Sequence, residues 1–93
     1  MIRVLIVEDQ AILRESLARS VGDQPDMTVV AAIADASEAL GVALKERPDM
    51  ILMDVCTEHD SNGIVAAAHI KEQLPECRVI IMTGMPEITF VDQ

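Results

Sequence analysis

Aromatic residues are almost absent from this sequence of 93 residues: it has no Trp or Tyr, and Phe90 is its only Phe. Any core must therefore be built from Ile, Val, Leu, Met and Ala. Basic residues are scarce too, seven Lys and Arg against sixteen Asp and Glu, for a formal charge of -9 at pH 7. Gripping a nucleic-acid backbone or an anionic membrane takes clustered cations, so neither is expected of this chain by itself. The two cysteines, Cys56 and Cys77, have neither CxxC nor zinc-finger spacing, which excludes a disulfide-dense scaffold and favours reduced thiols. No long apolar run is present: the opening stretch is broken by Glu8 and Asp9, too early for a signal peptide or a membrane span. A cytoplasmic location is the resulting expectation.

What the sequence does have is apolar content, 51% of residues, enough for one small ordered domain spanning residues 1–93. Its hydrophobic pattern alternates between two periods. The run Ile2 to Val7 is aliphatic on both faces apart from Arg3, as in a buried parallel strand. From about Gln10 to Val21 the period becomes helical, with Leu13, Leu17 and Val21 on one stripe and Ala18 beside it. Arg14, Glu15 and Arg19 fall elsewhere. Gly22 to Asp26, with Pro25, stops that helix.

A second strand is predicted at Met27 to Ile33, then a helix capped by Asp35, with Glu38 three residues on and Pro48 beyond its end. A short apolar strand, Met50 to Met53, delivers Asp54 at its end. The polar loop Cys56 to Asn62 leads to a third helix from about Gly63 to Leu74. Val79 to Met82 forms a fourth strand ending at Thr83, and the remaining residues read as a loop and the opening of a helix. This βαβαβαβ rhythm indicates an α/β fold, a doubly wound parallel sheet with helices on both faces. Such sheets carry their sites where the strands end.

Glu8 and Asp9 follow the first strand, Asp54 the third and Thr83 the fourth. If the first and third strands are neighbours, three carboxylates converge, which is unfavourable unless a cation screens them. Oxygen ligands of this kind suit Mg²⁺. The competing reading is solvated acidic residues at strand ends, because the spacing carries no metal signature. Asp54 is the better nucleophile candidate: a wholly apolar strand fixes its backbone, and a carboxylate can attack phosphorus to form an acyl phosphate. Thr83 could donate its hydroxyl to a phosphoryl oxygen or serve only as a strand-end hydroxyl. His59, His69 and Cys77 read as ordinary residues of a loop, a helix and a strand entry.

Taken in order, Val4-Leu5-Ile6-Val7-Glu8-Asp9, Met50-Ile51-Leu52-Met53-Asp54 and Val79-Ile80-Ile81-Met82-Thr83-Gly84 resemble a two-component response-regulator receiver domain, of flavodoxin-like fold. The resemblance implies that Asp54 is the phosphoacceptor for a histidine kinase or phosphotransfer protein. It implies that Glu8, Asp9 and Asp54 hold Mg²⁺ together with the backbone carbonyl of Cys56, and that Thr83 contacts the phosphoryl group and moves on activation. The segment Gln10 to Leu17 and the Gly63-Ile64 helix start resemble the subset of receivers that carries a C-terminal helix-turn-helix DNA-binding domain.

Departures accompany the match. His59 stands near a position where the family commonly has Pro, and the loop around it looks about one residue longer than usual. The sequence stops within the expected fourth helix, without the fifth strand, the fifth helix or the family's phosphoryl-pairing Lys, whose place neither Lys45 nor Lys71 matches. An incomplete receiver leaves its fourth strand as an open edge, through which a homodimer could form. The alternative function is a phosphorylation-independent interaction module. A phosphohydrolase is disfavoured because Asp54-Val55-Cys56 lacks a second acid.

Overall fold

Four parallel strands run through the middle of the chain in the spatial order β2-β1-β3-β4, here a computed structural model describing residues 1–55 and 61–83. At Val55, Ser61, Asn62 and Thr83 the description is of the backbone alone. The elements are β1 (Ile2–Val7), α1 (Ala11–Gly22), β2 (Met27–Ile33), a 3₁₀ turn (Ala36–Glu38), α2 (Ala39–Glu46), β3 (Met50–Val55), α3 (Ser61–Gln73) and β4 (Arg78–Thr83). This is the doubly wound, flavodoxin-like parallel sheet that the alternating pattern predicts, formed through its fourth strand.

Each face of the sheet has its own apolar layer. Leu5, Val7, Ile51, Met53 and Val79 point to one side, where Ala39 and Ala43 of α2 and Ala66, Ala67 and Ile70 of α3 close over them. Four alanines at those contacts allow two helices to sit close on a sheet that has no aromatic filler. Val4 and Ile6 face the other side, beneath Leu17, Ala18 and Val21 of α1. Leu13, expected on the same stripe, stays 43% exposed in the first turn of α1, and Ile12 is 81% exposed.

The boundaries differ from the sequence reading in instructive places. Asp35 does cap, accepting from the Ser37 backbone N–H at 2.9 Å, but it opens a 3₁₀ turn that hands over to α2 at Ala39. The third strand continues to Val55, so Asp54 lies inside the ladder, paired with Met82, rather than just beyond it. Helix α3 starts at Ser61, which puts Asn62 and Gly63 in its first turn instead of ahead of it. The loop from Cys56 to residue 60 and the segment after Thr83, including His59 and Phe90, lie outside the described residues.

The opposite ends of the strands are tied by backbone and side-chain bonds. Asp49 N–H donates to the Arg3 carbonyl, Arg3 N–H donates to Asp49 Oδ2 at 2.9 Å, and Arg78 N–H donates to the Asp49 carbonyl. These bonds set the relative heights of β1, β3 and β4, and hence which residues meet at the far edge.

Helix α2 ends on Arg47 in the left-handed region, at φ 51 and ψ 58, a place usually given to Gly because a Cβ crowds the carbonyl there. Replacing Arg47 with Gly is therefore expected to stabilise the chain by about 1 kcal/mol. The thermal midpoint should rise by roughly 4–8 °C. An unchanged or lower midpoint by calorimetry would show that the side chain of Arg47 outweighs the backbone strain.

Candidate functional site: an acidic pocket at the strand ends

Register decides what meets at the C-terminal edge of the sheet. Val7 pairs with Met53, so the next residue of each chain segment, Glu8 and Asp54, is brought side by side on the face that carries α1. Glu8 N–H continues the ladder to the Ile33 carbonyl at 2.9 Å, so the residue is held in line with β1 although the strand has ended. Its side chain is buried, 1% exposed. Asp9, one residue later, is exposed.

The chain holds Glu8 from three directions. Besides the bond to Ile33, its carboxylate Oε2 accepts the Gln10 backbone N–H at 2.7 Å, and its carbonyl accepts Arg14 Nη1 at 2.9 Å. The remaining oxygen, Oε1, has no hydrogen-bond partner, and neither has Asp54 Oδ1, which is likewise buried. Two acceptor-only oxygens in such a setting carry the full cost of lost hydration. Burial pushes the Glu8 carboxyl up from 4.5 to about 8, reinforced by the neighbouring Asp54 and Asp9 carboxylates and opposed by the Gln10 N–H. Either a proton on Glu8 or a cation between the two carboxylates supplies what the pocket is missing.

The donor chemistry fits a hard, oxygen-preferring divalent cation. Mg²⁺ usually takes only one or two carboxylates and completes its shell with water and phosphoryl oxygens. Glu8 and Asp54 provide such a pair, with Asp9 adjoining. Among the described residues, no group of three His, Cys, Asp or Glu side chains is gathered tightly enough to hold a metal unaided. The expected convergence of three carboxylates is thus realised as the buried Glu8 beside the half-buried Asp54, with Asp9 on the surface.

The other expected site residues divide between what the structure describes and what it does not. Thr83 is the last residue of β4, with its backbone in register with Val55, one position past Asp54. Its side chain, and all of Cys56, lie outside the described residues. Sequence reasoning missed Arg14, which it placed only off the packing stripe of α1; the guanidinium reaches back six residues to the acidic turn. No helix among the described residues is long and apolar enough to cross a membrane.

The response regulator receiver domain family matches residues 4–93. The chain belongs to that family. The oxygen regulatory protein NreC of Staphylococcus haemolyticus is 32% identical over 81 residues, covering 87% of this chain but 37% of that protein. The chain therefore spans well under half the length of the curated relatives it matches. Among solved structures, a LuxR-family two-component response regulator from Aurantimonas sp. SI85-9A1 superposes with a TM-score of 0.79 at 34% identity, over 89% of this chain and 59% of that one. The response regulator domain of Thermotoga maritima CheB gives 0.80 at 38% identity, over 98% and 66%. Receiver domains take part in signalling between histidine kinases and aspartate acceptors.

A carboxyl raised in the folded state binds its proton more tightly there than in the unfolded chain. The stability this contributes is complete below about pH 4.5 and is lost as pH rises toward about 8. In metal-free buffer the thermal midpoint is expected to fall between pH 5 and 8, and Glu8→Gln should flatten that slope by keeping the side chain neutral. The same slope in wild type and variant, followed by circular dichroism, would assign the pH dependence to other groups.

Proposed function

We propose that the chain is the phosphoacceptor of a cytoplasmic two-component system, with Asp54 as the residue phosphorylated. The observation that carries this reading is the buried, unpartnered Asp54 oxygen facing an equally unpartnered Glu8 oxygen at the ends of adjacent parallel strands, in a chain of the receiver family. In the proposed transfer an Asp54 carboxylate oxygen attacks phosphorus. The bond from phosphorus to the donor nitrogen of a kinase phosphohistidine breaks, and the released imidazole keeps that electron pair and takes up a proton. The product is an acyl phosphate on Asp54.

Glu8, Asp9, Asp54 and the Cys56 backbone carbonyl would hold Mg²⁺, which offsets phosphoryl charge when bound. Thr83 would donate its hydroxyl to a phosphoryl oxygen, and its movement would carry the change to an output surface. The family and the LuxR-family likeness support a transcriptional output through a helix-turn-helix DNA-binding domain outside this sequence. Self-association through β4, which pairs only with β3 among the described residues, is a further part of the proposal. A molar mass independent of concentration in sedimentation equilibrium would remove that part alone.

One observation favours a second reading, a receiver-like module that acts by protein contacts without phosphorylation. The pocket can resolve its orphaned oxygens with a proton alone.

Intact mass after incubation with Mg²⁺ and a small acyl-phosphate donor separates the two. The expected result is a single phosphoryl adduct that needs Mg²⁺ and disappears in Asp54→Asn. A folded chain that takes up no phosphoryl group would overturn the phosphoacceptor reading for these 93 residues and leave the binding module in its place.

A further inference from the structure

The cations of this chain are unevenly placed. Of seven Lys and Arg, Arg3 and Arg78 open strands, Arg19, Lys45 and Lys71 sit in the last turns of the helices, and Arg47 follows α2. In a parallel sheet with returning helices, all six belong to the edge away from the acidic pocket. Arg14 is the exception. It lies in the second turn of α1, is half-buried, and spends a charge-assisted hydrogen bond on the neutral carbonyl of Glu8 at 2.9 Å.

That carbonyl belongs to the peptide joining Glu8 to Asp9. The turn is otherwise anchored at Glu8 N–H, at Glu8 Oε2 through Gln10, and at the Gln10 carbonyl, which accepts the Arg14 N–H at 2.8 Å. Arg14 thus closes a ring of contacts with both its backbone and its side chain. Without the guanidinium, the carbonyl of the Glu8–Asp9 peptide would lose its side-chain hydrogen bond, and among the described residues the peptide would be free to rotate, carrying the two carboxylates out of alignment with Asp54.

We propose that Arg14 is a positioning residue for the acidic pocket, holding the Glu8–Asp9 turn in the orientation that receives a divalent cation beside Asp54. This rests on the proposed phosphoacceptor function. It opposes the electrostatic expectation, because a positive charge brought near a cation site should weaken binding if charge alone counted. Groups that orient metal ligands without touching the metal typically contribute 10- to 100-fold to affinity.

The test is Mg²⁺ titration by calorimetry at pH 8 on wild type, Arg14→Met and Arg14→Lys, with thermal midpoints measured separately without metal. Arg14→Met keeps the aliphatic stem and is expected to weaken Mg²⁺ binding roughly tenfold, with Arg14→Lys recovering part of the loss through one remaining donor. Unchanged affinity in Arg14→Met, with or without a lower metal-free midpoint, would reduce Arg14 to a structural tie and overturn the proposal. Tighter binding would overturn it as well, by showing that charge outweighs position. If Arg14→Met does not fold, Arg14→Lys decides by the same criterion: an affinity equal to or above wild type overturns the proposal, and weaker binding by a folded chain supports it. Wild type that binds no Mg²⁺ would overturn both this proposal and the metal-dependent function beneath it, whereas wild-type binding with an indifferent Arg14 would leave that function standing.

Discussion

Two carboxylates that would repel each other in solution are forced together by strand register, and the rest of the molecule can be read as what makes that tolerable. Glu8 and Asp54 follow the paired residues Val7 and Met53, so neither can withdraw without breaking the ladder between β1 and β3. The ladder in turn is fixed at its far end by Asp49, which bonds to both Arg3 and Arg78. A core of Leu5, Ile6, Ile51, Met53 and Ile70, all fully buried, supplies the hydrophobic stabilisation that offsets an unpaired acidic cluster. A local conflict of this kind, inside an otherwise consistent fold, marks the place where function rather than stability set the residues.

The distribution of basic side chains follows from the same constraint. Helices returning beside parallel strands put their C-termini, with partial negative charge, at the edge where the strands begin. Lys45 and Lys71 lie in the last turns of α2 and α3, and Lys71 Nζ donates to the Pro75 and Cys77 carbonyls beyond its helix. Those placements stabilise helix ends and leave the opposite edge acidic. Arg14 therefore stands out: it is a cation at the edge that has most use for negative charge, bonded to a carbonyl rather than to a carboxylate. Geometry is the simpler account of that bond.

Most of the fold was legible because buried parallel strands and amphipathic helices have different periods, and this chain switches cleanly between them. Asp54 could be singled out because an apolar run that ends in an acid is costly unless the acid has work to do. What escaped notice depended on contacts between distant residues. The apolar run that marks the third strand stops at Met53, but pairing of Asp54 with Met82 and Val55 with Thr83 carries the strand further. Arg47 gave no sign of its left-handed conformation, because the usual signal there is Gly. Helical phase sets Arg14 off the packing stripe, but phase says which face a residue occupies and not how far a long side chain reaches. Leu13 shows the converse, as it keeps the phase of the packing stripe yet remains 43% exposed.

On the proposed function, the pocket offers the same two oxygens to a proton and to a divalent cation, so the two would compete for one site. A metal that takes Glu8 must displace the proton that burial and the neighbouring acids favour there, and its apparent affinity carries that proton's cost. Near pH 8 the cost is small, and it grows as the medium becomes more acidic. A proton satisfies the pocket without help from Asp9, whereas a cation held there would draw on the exposed Asp9 carboxylate as well. The orientation of the Glu8–Asp9 turn therefore matters little to the protonated state and a great deal to the metal-bound one. On the proposed function, this difference would give the three anchors on Glu8 a reason beyond stability: they would hold ready the geometry that only the second state uses.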